Sequence, residues 1–170
     1  MWTRAGSMFV AMHKNNVKIT GHVKAVLRDA KTGIIKQVAE GKNIIPTVGL
    51  IGILRRLGNE STKTNEGMIT YGAVGDGALT PAIADTIMEN EIGRKAVGVT
   101  TVVGTTLTIE TFFAETEGIG TLTKFALFGE DATTALDSGT MFEYIKFTLS
   151  INKTILEVLT VTSEITIANA

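Results

Sequence analysis

Two alternating runs in the last third constrain this chain more than any other feature. Residues 141–149 place Met141, Ile145, Phe147 and Leu149 on one face, with Glu143 the single polar member of that face. Residues 155–167 place Ile155, Leu159, Val161, Ile165 and Ile167 on one face. Leu156, Thr160, Thr162, Glu164 and Thr166 fall on the other. A period of two means pleated strand, because successive side chains leave opposite faces. The connection Ser150-Ile151-Asn152-Lys153-Thr154 has the length of an antiparallel hairpin turn, so the spacing predicts a terminal hairpin. The chain ends in sheet.

The same pattern recurs upstream. Val17, Ile19, Val23, Ala25 and Leu27 alternate mainly with polar residues. Asp29-Ala30-Lys31-Thr32-Gly33 reads as a turn, and residues 34–39 return as the second strand of a hairpin. Residues 47–57 carry the one persuasive helix. Thr47 is the candidate N-cap, Leu50, Ile51, Leu54 and Leu57 recur at helical spacing, Arg55 and Arg56 fill the last turn, and Gly58 is the stop. Gly49 and Gly52 each weaken that helix by ~1 kcal/mol relative to alanine, so it must owe its order to packing.

Residues 68–74, 96–103, 106–114 and 122–128 read as further strands, with 96–103 and 106–114 paired around Gly104-Thr105. Residues 75–81 and 129–139 read as loops, and residues 85–94 as a polar stretch with a turn of helix. The expected fold is therefore mainly β: an antiparallel sandwich or jelly-roll-like barrel of about eight strands with one short helix. Residues 17–170 form a single β-domain. Residues 1–16 form an N-terminal arm, whose alternative is a non-structural terminus with Met8 or Met12 as the start of the chain.

Lysine and arginine number 16 against 17 acidic residues, and they are scattered singly, so no basic stripe marks a nucleic-acid partner. Cysteine is absent, which removes disulfides and thiolate metal sites. No window holds the roughly 18 apolar residues of a membrane span, and the first twelve residues are too interrupted for a signal peptide. These features lead to the expectation of a soluble protein made in the cytoplasm, without a membrane partner.

No catalytic, cofactor or metal site emerges from the reactive side chains. The Gly-rich segment 72–77 is followed by neither the lysine nor the helix that a phosphate loop needs. Asp76 and Asp85 lack the ladder of ligands of a calcium loop. His13 and His22, the only histidines, show no metal spacing. Ser7, Ser61, Ser138, Ser150 and Ser163 have no nucleophile elbow around them. Glu110, Glu115, Glu117, Glu130 and Asp131 are the carboxylates from which a glycosidase pair would be drawn, but they read as solvated acids of strands and turns.

Four segments, in order, resemble a known family. Asn43-Ile44-Ile45 followed by Val48-Gly49-Leu50 opens the helix. Ile69-Thr70-Tyr71-Gly72-Ala73-Val74-Gly75-Asp76-Gly77 leads to Thr80-Pro81-Ala82. Asp85-Thr86, Glu89-Asn90-Glu91 and Arg94-Lys95 follow, and then Leu122-Thr123-Lys124-Phe125-Ala126-Leu127-Phe128, where Lys124 and Ala126 depart from the pattern. Together, over roughly residues 43–167, these resemble small β-rich structural proteins of tailed bacteriophages. The resemblance implies a non-enzymatic virion component of tail fibre, collar or capsid-surface type. It would be made in the host cytoplasm, bind other virion proteins and carry no cofactor.

Two expectations follow for assembly. The arm's apolar side chains, Trp2, Met8, Phe9 and Met12, are candidate contacts with a neighbour. A homo-oligomer protects sheet edges, with a trimer expected by analogy to fibre and capsid-surface proteins. The alternative function is a receptor- or carbohydrate-binding module at a fibre tip, using the loops 75–81 and 129–139.

Overall fold

The computed structural model describes residues 17–60, 63–65 and 67–169. The arm, and with it Trp2, Met8, Phe9 and Met12, lies outside them. Nine strands and one helix follow in the order β1 (Val17–Asp29), β2 (Ile35–Lys42), α1 (Thr47–Gly58), β3 (Ile69–Gly75), β4 (Glu91–Ala96), β5 (Val99–Val103), β6 (Thr106–Phe113), β7 (Gly120–Gly129), β8 (Thr140–Lys153) and β9 (Glu157–Asn169). They build two antiparallel sheets, one in the order β2-β1-β9-β6-β5 and the other β4-β3-β7-β8. The fold is an antiparallel β-sandwich, the first of the two architectures that the alternation leaves open, with one more strand than expected.

The extra strand is β4. Residues 85–94 contain no helical turn; Ala82 and Asp85 close a short turn, and Glu91–Ala96 pairs with β3. A charged pair, Glu91 and Arg94, occupies buried positions there, which hides the strand's alternation in the sequence. The predicted pairs β1–β2 and β5–β6 are both present, although β5 begins only at Val99 because Ala96 closes β4.

The terminal hairpin does not form. β8 is the edge of the four-stranded sheet and pairs with β7, whereas β9 sits between β1 and β6 in the other sheet. Residues Ser150–Lys153 continue β8 instead of turning, with Ile151 and Lys153 buried. The chain crosses between sheets at Thr154-Ile155-Leu156, where the Thr154 amide donates to Glu157 at 2.8 Å. β9 meets β1 along thirteen residue pairs and β6 along eight, a two-sided pairing that a hairpin with β8 would forfeit. A second correction concerns Met141. A register shift pairs Leu127 with Glu143 but Phe128 with Met141, so Phe142 is an extra residue and Met141 turns away from the sandwich interior.

The main core fills the space between sheets, with Val23, Leu27, Ile109, Phe113, Phe125, Leu127, Ile145, Leu159 and Val161 among its members. A second cluster, Ala73, Met88, Ala126, Phe128, Met141 and Tyr144, lies on the opposite face of the four-stranded sheet. Met88 comes from the loop between β3 and β4, and the partly buried Ala132 from the loop after β7, so both loops are packed onto that face.

The helix follows its expected span but not its expected packing. Its N-cap is Pro46 and makes no side-chain cap, so Thr47 is not the cap. The helix runs through Gly58, and Asn59, in the left-handed region at φ 53°, closes it with its amide on the carbonyls of Arg55 and Arg56. Gly49 and Gly52 are the residues it buries. A Cβ on Gly49 would stand 2.8 Å from Phe142 Cα, and one on Gly52 would stand 2.6 Å from Phe142 Cζ. The glycines therefore let the helix backbone lie directly on β8. Leu50, Leu54 and Leu57, roughly opposite that stripe, are turned to the surface.

Candidate functional site

Charged side chains in the interior would be the first candidates for chemistry. Each of them is held by other groups of the chain. Glu143 on β8 is fully buried, accepts a hydrogen bond from Asn43 Nδ2 at 2.6 Å and is hydrogen-bonded by the hydroxyl of Ser163 on β9. It thus links the two sheets to the segment after β2. Burial pushes its carboxyl from the ordinary 4.5 up to about 7, against the lowering effect of those two donors.

On the outer face of the four-stranded sheet, Lys124 is buried against Glu89 with its ammonium 5.5 Å from the centre of the Tyr144 ring. Burial opposes the lysine's charge, yet its bonds to Glu89 and Tyr144 hold its pKa above the usual value. The Glu89 amide in turn donates to the Tyr144 hydroxyl at 3.0 Å. This cluster fastens the loop between β3 and β4.

Arg94 fastens the other long loop. Its guanidinium meets Glu91 at 2.6 and 2.8 Å, donates to the carbonyls of Thr133 and Ser138, and lies 4.5 Å from the centre of the Phe128 ring. Glu91 also accepts from the Asp137 amide at 3.0 Å. Arg94→Lys removes the planar fork and its several simultaneous bonds. Amide exchange measured in residues 133–138 should then accelerate roughly tenfold relative to wild type, with the β7 amides unchanged. Lys153, the last buried charge of β8, donates to the carbonyls of Ala114 and Glu115 and closes the end of β6.

The carboxylates singled out in the sequence are not brought together. Glu115 and Glu117 lie before β7, and Glu130 and Asp131 follow its far end, so a ten-residue strand, about 33 Å at 3.3 Å per residue, separates the two sets. Glu110 stays on β6, opposite Val99 and Thr162. Glu117 is engaged by Lys95 at 2.5 Å. Glu130 is not the solvated acid that the sequence suggests: it is buried, faces Lys63 at 3.3 Å and accepts from the Gly67 amide at 3.3 Å. His22 stands 3.5 Å from Glu40 on an exposed face, and His13, Ser7 and Ser61 lie outside the described residues. Asp76 contacts Asn90, and Asp85 caps its own turn, accepting from the Ala82 amide. Among the described residues no three acidic or histidine side chains gather as a metal site. Among them, too, no helix is long and apolar enough to cross a membrane.

Sequence reasoning gave no buried or fastening role to Lys124, Glu89, Glu91, Arg94 and Lys153. For Lys124 and Lys153 a signal was present, a charge set within a continuous strand pattern; for Glu89, Glu91 and Arg94 it was masked by the polar neighbours.

What the fold leaves uncovered among the described residues is apolar surface. The helix stripe is exposed by 40% at Leu50, 66% at Leu54 and 79% at Leu57. β5, a sheet edge, is exposed along its whole length and contains no charge or proline, with Val102 and Val103 exposed by 67% and 73%. Two clefts open between these features. One, of about 610 Å³, lies between the start of β1 and the helix and is lined by Val17, Ile19, Ile45, Leu50 and Ile83. The other, of about 450 Å³, enters the end of the sandwich between Ile19, Ile53, Leu107, Phe142 and Ile165. Ile19 and Ile45 line both. The candidate functional site is this apolar end of the molecule. No protein-family model, curated protein or solved structure matches the chain.

Proposed function

We propose that the chain is a non-enzymatic structural subunit of a tailed-phage particle, displayed at its surface and acting by assembly with other virion proteins and with copies of itself. The observation that carries this reading is the contrast between the two kinds of side chain. Interior charges serve as internal fastenings, whereas leucines, isoleucines and valines of the helix, the clefts and β5 face outward. Contiguous exposed apolar surface of this kind marks an interaction site. An uncharged edge strand is a template for pairing with another chain, which monomeric proteins ordinarily block with lysine, proline or a covering loop. The ordered resemblance over residues 43–167 supplies the class of assembly.

The test is mass spectrometry of purified particles from a host making the protein. The expected result is the chain at a defined copy number per particle; its absence from washed particles sinks the proposal. Light scattering of the isolated protein checks self-association, with a closed oligomer expected and a strict monomer at particle-like concentration counting against it.

A further inference from the structure

Four strands form the edges of the two sheets, β2 and β5 in one, β4 and β8 in the other. Three of these edges are protected. β2 carries Lys36, Glu40 and Lys42 and lies against β8: Gln37 donates to the Ser150 carbonyl at 2.7 Å, and a Cβ on Gly41 would stand 2.7 Å from the Lys146 carbonyl oxygen. β4 carries Glu91, Arg94 and Lys95, and Arg94 ties the loop after β7 to it. Such charges and coverings block strand addition. β5 has neither. It reads Val99-Thr100-Thr101-Val102-Val103, its one strand neighbour among the described residues is β6, and all five residues are exposed.

The backbone of this edge is set for a partner. The turn Gly104-Thr105, with Gly104 at φ 59°, closes the β5–β6 hairpin on the pair Val103–Thr106. A two-residue hairpin turn makes that pair a hydrogen-bonded one, and bonded and non-bonded pairs alternate along the ladder. Val99, Thr101 and Val103 therefore bond to β6, while the amides and carbonyls of Thr100 and Val102 point away from it. Directly opposed residues share a face. Thr100 and Val102 thus lie on the inner face with Ile109 and Leu107, and Val99, Thr101 and Val103 on the outer face with Glu110, Thr108 and Thr106.

We propose that β5 pairs with β5 of a second copy, antiparallel about a two-fold axis at Thr101, joining two five-stranded sheets into one. This rests on the reading of the chain as a subunit that assembles with its own copies. The strand is self-complementary in this register. Thr100 exchanges hydrogen bonds with Val102 of the second copy, and Val102 with its Thr100, so every outward backbone group of Thr100 and Val102 is satisfied. Val99 stands opposite Val103 of the second copy, and Thr101 opposite its own counterpart. Every pair is β-branched, the residue type that packs well on a pleated surface. Charge favours the same occupant. β5 has no charge of its own, and Glu110, the one charge on the paired stretch of β6, lies in a row that ends on Thr106 of the second copy. Two identical copies therefore meet without like charges opposed, and the isologous contact closes on itself as a dimer.

The experiment exchanges the axial residue. Thr101→Lys and Thr101→Glu each set like charges directly opposite across the axis, and their equimolar mixture sets opposite charges there. Thr101 is exposed, so both variants should keep the sandwich, which unchanged exchange of the β7 amides reports. Sedimentation at particle-like concentration should show a dimer for the wild type, a monomer for each variant alone and a dimer for the mixture. The Thr100 and Val102 amides should exchange at least roughly tenfold faster in each variant than in the wild type. A wild-type monomer overturns the proposal, as does a dimer that both variants preserve or a mixture that stays monomeric. Entry into purified particles is scored separately. A dimer that depends on residue 101 but is absent from particles leaves the pairing standing and sinks the virion reading. A chain that enters particles while its oligomer ignores residue 101 does the reverse.

Discussion

Glu143→Gln should stabilise the protein at pH 8 by about 3 kcal/mol and change it little at pH 4. Glu143 is buried between the sheets, and its carboxyl is raised from 4.5 to about 7. A group with a raised folded pKa holds its proton more tightly in the folded chain. Its contribution is therefore fully favourable below pH 4.5, declines as pH rises from 4.5 to 7, and is a constant penalty above about 7. At 1.36 kcal/mol per pKa unit that penalty is about 3 kcal/mol. Glutamine is never ionised, and its amide oxygen accepts from Asn43 while its amide nitrogen donates to Ser163. Asp29 and Glu157 are held down to about 2 by their hydrogen bonds, from Thr32 above all and from Lys36 first, respectively. Their losses come at lower pH and are common to both proteins, so they cancel in the difference. Urea unfolding of both at pH 4 and pH 8 gives the result; a difference independent of pH would refute the account.

The helix should respond to substitution in the reverse of the usual order. Helix propensity alone makes Gly49→Leu favourable by most of 1 kcal/mol. The structure reverses the sign, because the new Cβ would meet the Phe142 backbone, 2.8 Å from Cα and 2.9 Å from the carbonyl oxygen. Backbone cannot move aside as a flexible side chain can, and overpacking of this kind should cost about 3 kcal/mol. Leu54→Lys and Leu57→Lys, by contrast, replace exposed side chains and should each stay within about 0.5 kcal/mol in thermal or urea unfolding. The same two substitutions should abolish self-association and entry into particles if the stripe is an assembly surface. A large loss of stability from the lysines, or none from Gly49→Leu, would mean that the helix docks by its leucines after all.

Alternation in the sequence determined eight of the nine strands, the mainly β antiparallel class and the two local hairpins, because a period of two fixes pleat and inside-outside phase residue by residue. The choice of sandwich over barrel, and strand β4, came from the folded arrangement. The helix span was equally legible from Leu50, Leu54, Leu57 and the basic last turn. Partner choice was not. β8 and β9 each satisfy a hairpin pattern, yet the energy of a strand lies in both its edges, and β9 finds β1 and β6 far away in the chain. The inward charge of Glu143 was visible as an exception to the pattern, but its burial depends on Asn43, 100 residues away, and on Ser163 across the sandwich. Helical spacing told which residues share a face, not which face docks; the missing Cβ atoms of Gly49 and Gly52 decided that, because only they let two backbones touch. The apolar end of the molecule is thus a tertiary result: each residue in it reads as core in the sequence, and only the folded arrangement leaves it uncovered.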